Sequence, residues 1–120
     1  MRGDEKRVVD AFCVFLERDG WSVQREVKRV DVVAERGEAR LFAEAKGRTL
    51  GASVDVDTLY GQLLRRMPAD EVGRARFAVV VPELMVREAT RVSPRVRAIL
   101  NIDVYAVSDD GHVRCVVCSA

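Results

Sequence analysis

At 120 residues and 48% hydrophobic content, the chain has the size of one compact domain and enough apolar material for a single core without disulfide or metal staples. Its 20 Lys and Arg nearly balance 19 Asp and Glu, for a formal charge of +1; this excludes a global electrostatic argument for a polyanionic partner, so any nucleic-acid surface has to be a local patch. The opening residues are mostly polar and charged, and no apolar run approaches the length of a signal sequence or membrane span, which sets the expectation of a cytoplasmic protein with no membrane partner.

Asp4 is placed to cap a first helix in which Val8, Phe12, Phe15 and Leu16 recur at helical spacing, with Gly20 as its stop. Three strands are predicted next, over 21–27, 30–35 and 39–46, divided by Lys28-Arg29 and by the turn Arg36-Gly37-Glu38. The second and third should form a hairpin. Residues 48–54 include Thr49, Gly51 and Ser53 and have no period, so they read as a loop, with a second helix starting near Asp55 or Asp57 and ending about Met67, ahead of Pro68. The continuous apolar run 77–81 suits a strand buried on both faces and stops at Pro82. Residues 83–91 suit a helix, and Ser93-Pro94 restarts one that runs to Leu100. Two last strands, 102–108 and 112–117, flank the hairpin signal Asp109-Asp110-Gly111. The order αβββαβαββ predicts a single α/β domain over 1–120, with a mixed sheet flanked by helices on both sides.

Three cysteines do not suggest a disulfide framework. Cys115 and Cys118 form a Cys-x-x-Cys inside a predicted strand, where residues three apart point to opposite faces. Only Cys13 and His112 remain to complete a zinc site, so buried, inert thiols are expected. His112 is the sole histidine and reads as a strand residue beside a turn; serine triads and histidine-based nuclease mechanisms therefore lack parts. No phosphate-cradling glycine motif or dinucleotide fingerprint occurs.

The basic residues divide unevenly. Seventeen are arginine and only Lys6, Lys28 and Lys46 are lysine. A lysine amine can shift its pKa and transfer protons, whereas guanidinium stays protonated, so a lysine kept in such a chain raises the question of what arginine could not do there. On the third strand Glu44 and Lys46 share one face, with Leu41, Ala43 and Ala45 on the other. Asp31 starts the preceding strand, in hairpin reach of Glu44. Two carboxylates and an amine then converge, the groups that phosphodiester hydrolysis requires: hard oxygen ligands for Mg²⁺, and an amine to orient or deprotonate the attacking water. An acidic-x-Lys tripeptide alone is weak, since about half of chains of this composition contain one by chance. Its bland alternative is a surface ion pair on an edge strand. The apolar flanks Leu41, Phe42, Ala43 and Ala45 argue instead for a buried strand, where unpaired charge is costly.

With Asp31 at a strand start, Glu44-Ala45-Lys46 on the next strand and a following helix carrying Gln62, the chain resembles the PD-(D/E)XK (restriction-endonuclease-like) nuclease superfamily, particularly its Mrr-like and resolvase-like branches, over roughly residues 4–81. The resemblance implies a restriction-endonuclease-like αβββαβ core with C-terminal additions and Mg²⁺- or Mn²⁺-dependent cleavage of DNA. It further implies Asp31, Glu44 and the Ala45 backbone carbonyl as metal ligands, and Lys46 at the attacking water. Gln62, within Tyr60-Gly61-Gln62-Leu63-Leu64, would contact phosphate or the lysine; its alternative is a solvated helix residue. Some branches add a first-helix glutamate as an outer ligand, for which Glu5 is the nearest candidate, about one turn early. Val30 stands where the family name expects proline. DNA contacts are expected from Arg48 beside the active strand and from Arg65 and Arg66 on the Gln62 helix. Arg87, Arg91, Arg95 and Arg97 form a second basic group, read as solvated surface. The rival reading is a catalytically inactive module of the same fold that binds nucleic acid or protein in a defence or repair assembly, with a homodimer or larger assembly left open.

Overall fold

The structure is a computed structural model that describes residues 3–48 and 51–118. It contains α1 (Gly3–Arg18), β1 (Ser22–Val27), β2 (Val30–Arg36), β3 (Ala39–Ala45), α2 (Ala52–Arg66), β4 (Arg76–Pro82), α3 (Val86–Ala89), α4 (Pro94–Leu100), β5 (Ile102–Val107) and β6 (Val113–Val117), with 3₁₀ turns at Ala69–Glu71 and Glu83–Met85. The six strands form one open mixed sheet in the order β1-β2-β3-β4-β5-β6. The first two pairings are antiparallel, β3-β4 and β4-β5 are parallel, and β6 returns antiparallel to β5. The architecture is a mixed α/β sheet flanked by helices, compatible with a restriction-endonuclease-like fold.

Two cores follow from the two-residue alternation of the strands. On one face Val33, Phe42, Phe77 and Val79 pack against Leu59 and Leu63 of α2 and Met85 and Ala89 of the next crossover. On the other, Val8, Phe12 and Leu16 of α1 lie on Val32, Ala34, Leu41, Ala43, Ala78 and Val80. The alanines there leave the depth that the large helix side chains fill, which is how close packing is reached with one helix on that face. β4 is the middle of the sandwich: residues 77–81 are all fully buried, as a continuous apolar run requires.

Two local differences from the sequence expectation have physical causes. The second helix starts at Ala52, because the N–H of Asp55 already bonds to the Gly51 carbonyl at 2.9 Å; Thr49 lies outside the described residues. Residues 83–91 are not one helix. Met85 leaves helical geometry (φ −104°, ψ 3°) between the 3₁₀ turn and the short α3, which places its side chain fully in the core while neighbouring Leu84 stays exposed.

The cysteine expectation is corrected in part. Cys13 is buried and free, but Cys115 and Cys118 are exposed and paired as a disulfide, their Cα atoms 6.0 Å apart. The strict alternation behind the expectation fails because the β5-β6 register shifts between Val104 and Tyr105: Val104 faces Val117 and Tyr105 faces Cys115. Val116 is the extra residue, and such a bulge breaks the alternation of faces. His112 also lies just before β6, in the turn, where its Nδ1 is 3.0 Å from Asp110.

Candidate functional site

The β2-β3 register pairs Val33 with Phe42 and Val32 with Ala43; one step further sets Asp31 opposite Glu44, on the α2 side of the sheet. There the regular ladder gives way to an exchange between side chains and backbone. The N–H of Asp31 donates to Glu44 Oε2 at 3.0 Å, and the N–H of Ala45 donates to Asp31 Oδ2 at 2.9 Å. The two carboxylates are thereby fixed to each other's strand.

Glu44 is fully buried. Its other oxygen, Oε1, lies 2.6 Å from Nη1 of Arg66 in the last turn of α2. Burial, and then the neighbouring Asp31 carboxylate, push the Glu44 pKa up to about 7, against the opposing pull of the Asp31 N–H and the Arg66 guanidinium. Asp31, half-buried, is also raised, first by burial; the Ala45 N–H, Arg66 and Lys46 pull the other way and Glu26 adds to the rise. Two carboxylates held in this state have a standing electrostatic preference for a cation between them.

Lys46 follows the last residue of β3, and its N–H bonds to the Val80 carbonyl at 3.1 Å, prolonging the line of the strand. Its side chain is half-buried, and its charge favours ionised Asp31. Immediately after it, Gly47 is covered by the start of α1: a Cβ there would fall 2.3 Å from the backbone N of Glu5. The next residue, Arg48, is exposed and donates its N–H to Asp4 Oδ2 at 2.7 Å. Glu5 is therefore brought by its backbone to the end of β3. Gln62 is half-buried on α2, one helical turn before Arg66, and Arg65 is exposed.

Sequence reasoning assigned Arg66 to DNA and did not foresee it as the partner of Glu44, since that contact depends on how α2 lies across the sheet. It also missed Glu26. In the β1-β2 register this residue falls opposite Asp31, and it adopts a left-handed backbone (φ 55°), as do Lys28 and Arg29 in the turn that follows. A non-glycine residue with positive φ inside a strand carries no sequence signature here. Beside Arg66 a groove of about 340 Å³ opens, floored by Val30, Val33 and Phe42 with Lys28 and Arg40 at its rim.

Among the described residues, no group of three or more His, Cys, Asp or Glu side chains is arranged to hold a metal ion. A Mg²⁺ site does not require three. This ion keeps several waters and is commonly held by one or two carboxylates together with substrate phosphate, and the hard oxygen donors of Asp31 and Glu44, with the Ala45 carbonyl, have the chemistry for it. The Arg66 guanidinium already occupies a cation's place beside Glu44.

No family model matches the chain, and no curated protein matches it. Solved structures similar in fold include these two. One is an XisH family protein from Nostoc punctiforme PCC 73102, at 16% identity and TM-score 0.61, with 92% of this chain and 99% of the other covered. The other is an fdxN element excision controlling factor protein from Anabaena variabilis, at 14% identity and TM-score 0.65, covering 93% of this chain and 99% of the other. At such identities the likeness is one of fold over nearly the whole length. No helix among the described residues is long and apolar enough to cross a membrane.

Proposed function

We propose that the chain is a metal-dependent nuclease acting on DNA phosphodiester bonds, with Asp31, Glu44 and the Ala45 carbonyl as the ligands of Mg²⁺ or Mn²⁺. The observation that carries this reading is the reciprocal fastening of Asp31 and Glu44 across the β2-β3 pair, which holds two carboxylates together on one face at a cost that a cation would relieve. The bound ion would neutralise phosphate charge and acidify the attacking water. Lys46, next along the chain, would orient that water through Nζ or, once its amine has itself given up a proton, deprotonate it. Gln62 and Arg66 project from α2 on the same side and would hold the phosphate, while Arg48 and Arg65 are exposed for flanking phosphates. That one fold neighbour is a factor controlling excision of the fdxN element supports DNA as the substrate class.

The second reading, a catalytically inactive module of the same fold that binds nucleic acid or a protein partner in a defence or repair assembly, is favoured by one observation. Glu44 is fully buried and already neutralised by Arg66, so it needs no metal to be satisfied. The test is cleavage of plasmid, branched and single-stranded DNA with Mn²⁺, comparing the native chain with Asp31→Asn. The nuclease reading expects cleavage that the substitution abolishes. Binding without cleavage by both proteins at a stated salt concentration assigns the chain to the second reading.

A further inference from the structure

We propose that Cys115 and Cys118 form a reversible dithiol-disulfide site that exchanges with low-molecular-weight disulfides of the glutathione type. The pair lies at the end of β6, the outer strand of the sheet, away from Asp31 and Glu44 on β2 and β3. Both residues are exposed, and their Cα separation of 6.0 Å is within the range that a disulfide spans. The bulge at Val116 is what brings them together, since it reverses the alternation that would otherwise set them on opposite faces. A bridge between residues three apart closes a very short loop, so it removes little freedom from the unfolded chain and does little to staple the fold. The hydrophobic cores on both sheet faces are complete without it. Such a pair, reachable by solvent and unneeded for stability, suits exchange chemistry rather than architecture.

The exchange runs in two displacements. One cysteine thiolate attacks a sulfur of the small disulfide, forming a mixed disulfide and expelling one small thiolate. The second cysteine thiolate then attacks the protein sulfur of that mixed disulfide and expels the other. Two small thiols leave and the protein dithiol becomes a disulfide, so the two electrons lost by the protein are gained by the small molecule. Cys13, on the buried face of α1, takes no part and serves as an internal control.

The test is to equilibrate the native chain in glutathione buffers of graded ratio, quench with acid, and count free thiols by maleimide tagging and intact mass. Two tags should disappear together as the buffer becomes oxidising, without dimer formation, and both should return in dithiothreitol while the chain stays folded. The single variants Cys115→Ser and Cys118→Ser should each accumulate a mixed disulfide that the native chain resolves. Tags retained at the most oxidising ratio, intermolecular disulfides in place of the internal one, a bridge that the folded chain does not reopen in dithiothreitol, or single variants that take up no glutathione would each overturn the proposal.

Discussion

The backbone of Asp31 holds the side chain of Glu44, and the side chain of Asp31 holds the backbone after Glu44: N–H to Oε2 at 3.0 Å in one direction, and Ala45 N–H to Oδ2 at 2.9 Å in the other. Neither carboxylate can move without releasing a backbone donor at the end of the β2-β3 ladder, so the geometry of the pair is set by the sheet rather than by side-chain rotamers.

This arrangement predicts an unusual pH dependence in the metal-free protein. Glu44 has its pKa raised from 4.5 to about 7 on folding, so between these values the folded state binds the proton more tightly than the unfolded one. The stability contributed by the protonated form is complete below about pH 4.5 and is lost as pH rises through 7, a change of about 3 kcal/mol. Urea unfolding of the native chain and of Glu44→Gln at pH 4, 6 and 8 reads this directly. The native stability minus that of the variant should fall with pH; a flat or rising difference contradicts the raised pKa.

On the proposed reading a divalent cation would compete with Arg66 for Glu44. Arg66→Ala should destabilise the metal-free chain at pH 8 by about 3 kcal/mol, since it leaves a buried carboxylate without its partner, and should enlarge the rise in melting temperature that millimolar Mg²⁺ or Mn²⁺ produces. In the native chain saturating metal should add about 2 to 3 kcal/mol, and Asp31→Asn should remove that response. A native melting curve indifferent to metal favours the inactive module.

Lys46→Arg preserves charge and removes the compact amine that can give up a proton. DNA cleavage should fall by a factor of about 100 or more while DNA affinity changes little. Equal cleavage by the two proteins would reduce Lys46 to an electrostatic neighbour of Asp31.

Two glycines separate close approach from open space. Gly47→Ala drives a methyl group into the backbone of α1 at Glu5 and should cost about 1 to 3 kcal/mol. Gly61→Ala, in the interior of α2 with nothing within 4 Å, should instead stabilise by about 0.5 to 1 kcal/mol. Thermal denaturation of both variants checks the signs.

The element order was legible in the sequence because the apolar periods of α1, of the strands and of β4 are clean, and because Gly20, Pro68, Pro82 and Pro94 punctuate them. The face of the sheet on which Glu44 lies follows from alternation alone, and the proximity of Asp31 follows from a short hairpin. What could not be read depends on tertiary placement or on broken alternation. Arg66 reaches Glu44 only because α2 folds back over β3; Glu26 comes opposite Asp31 in a left-handed conformation; and the bulge at Val116 joins two cysteines that a regular strand would hold apart.

Because the strands lie side by side in the order in which they occur along the chain, every sheet pairing closes a loop between sequence neighbours, and the sheet can grow strand by strand with little entropic penalty at each step. α1 is the exception. It crosses the face opposite α2, and Arg7 in its second turn reaches the Ser108 carbonyl at the end of β5 at 2.7 Å, across 101 positions of sequence. Its docking joins distant parts of the sequence, and it also covers Gly47 with the backbone at Glu5 and so fixes the backbone leading away from Lys46.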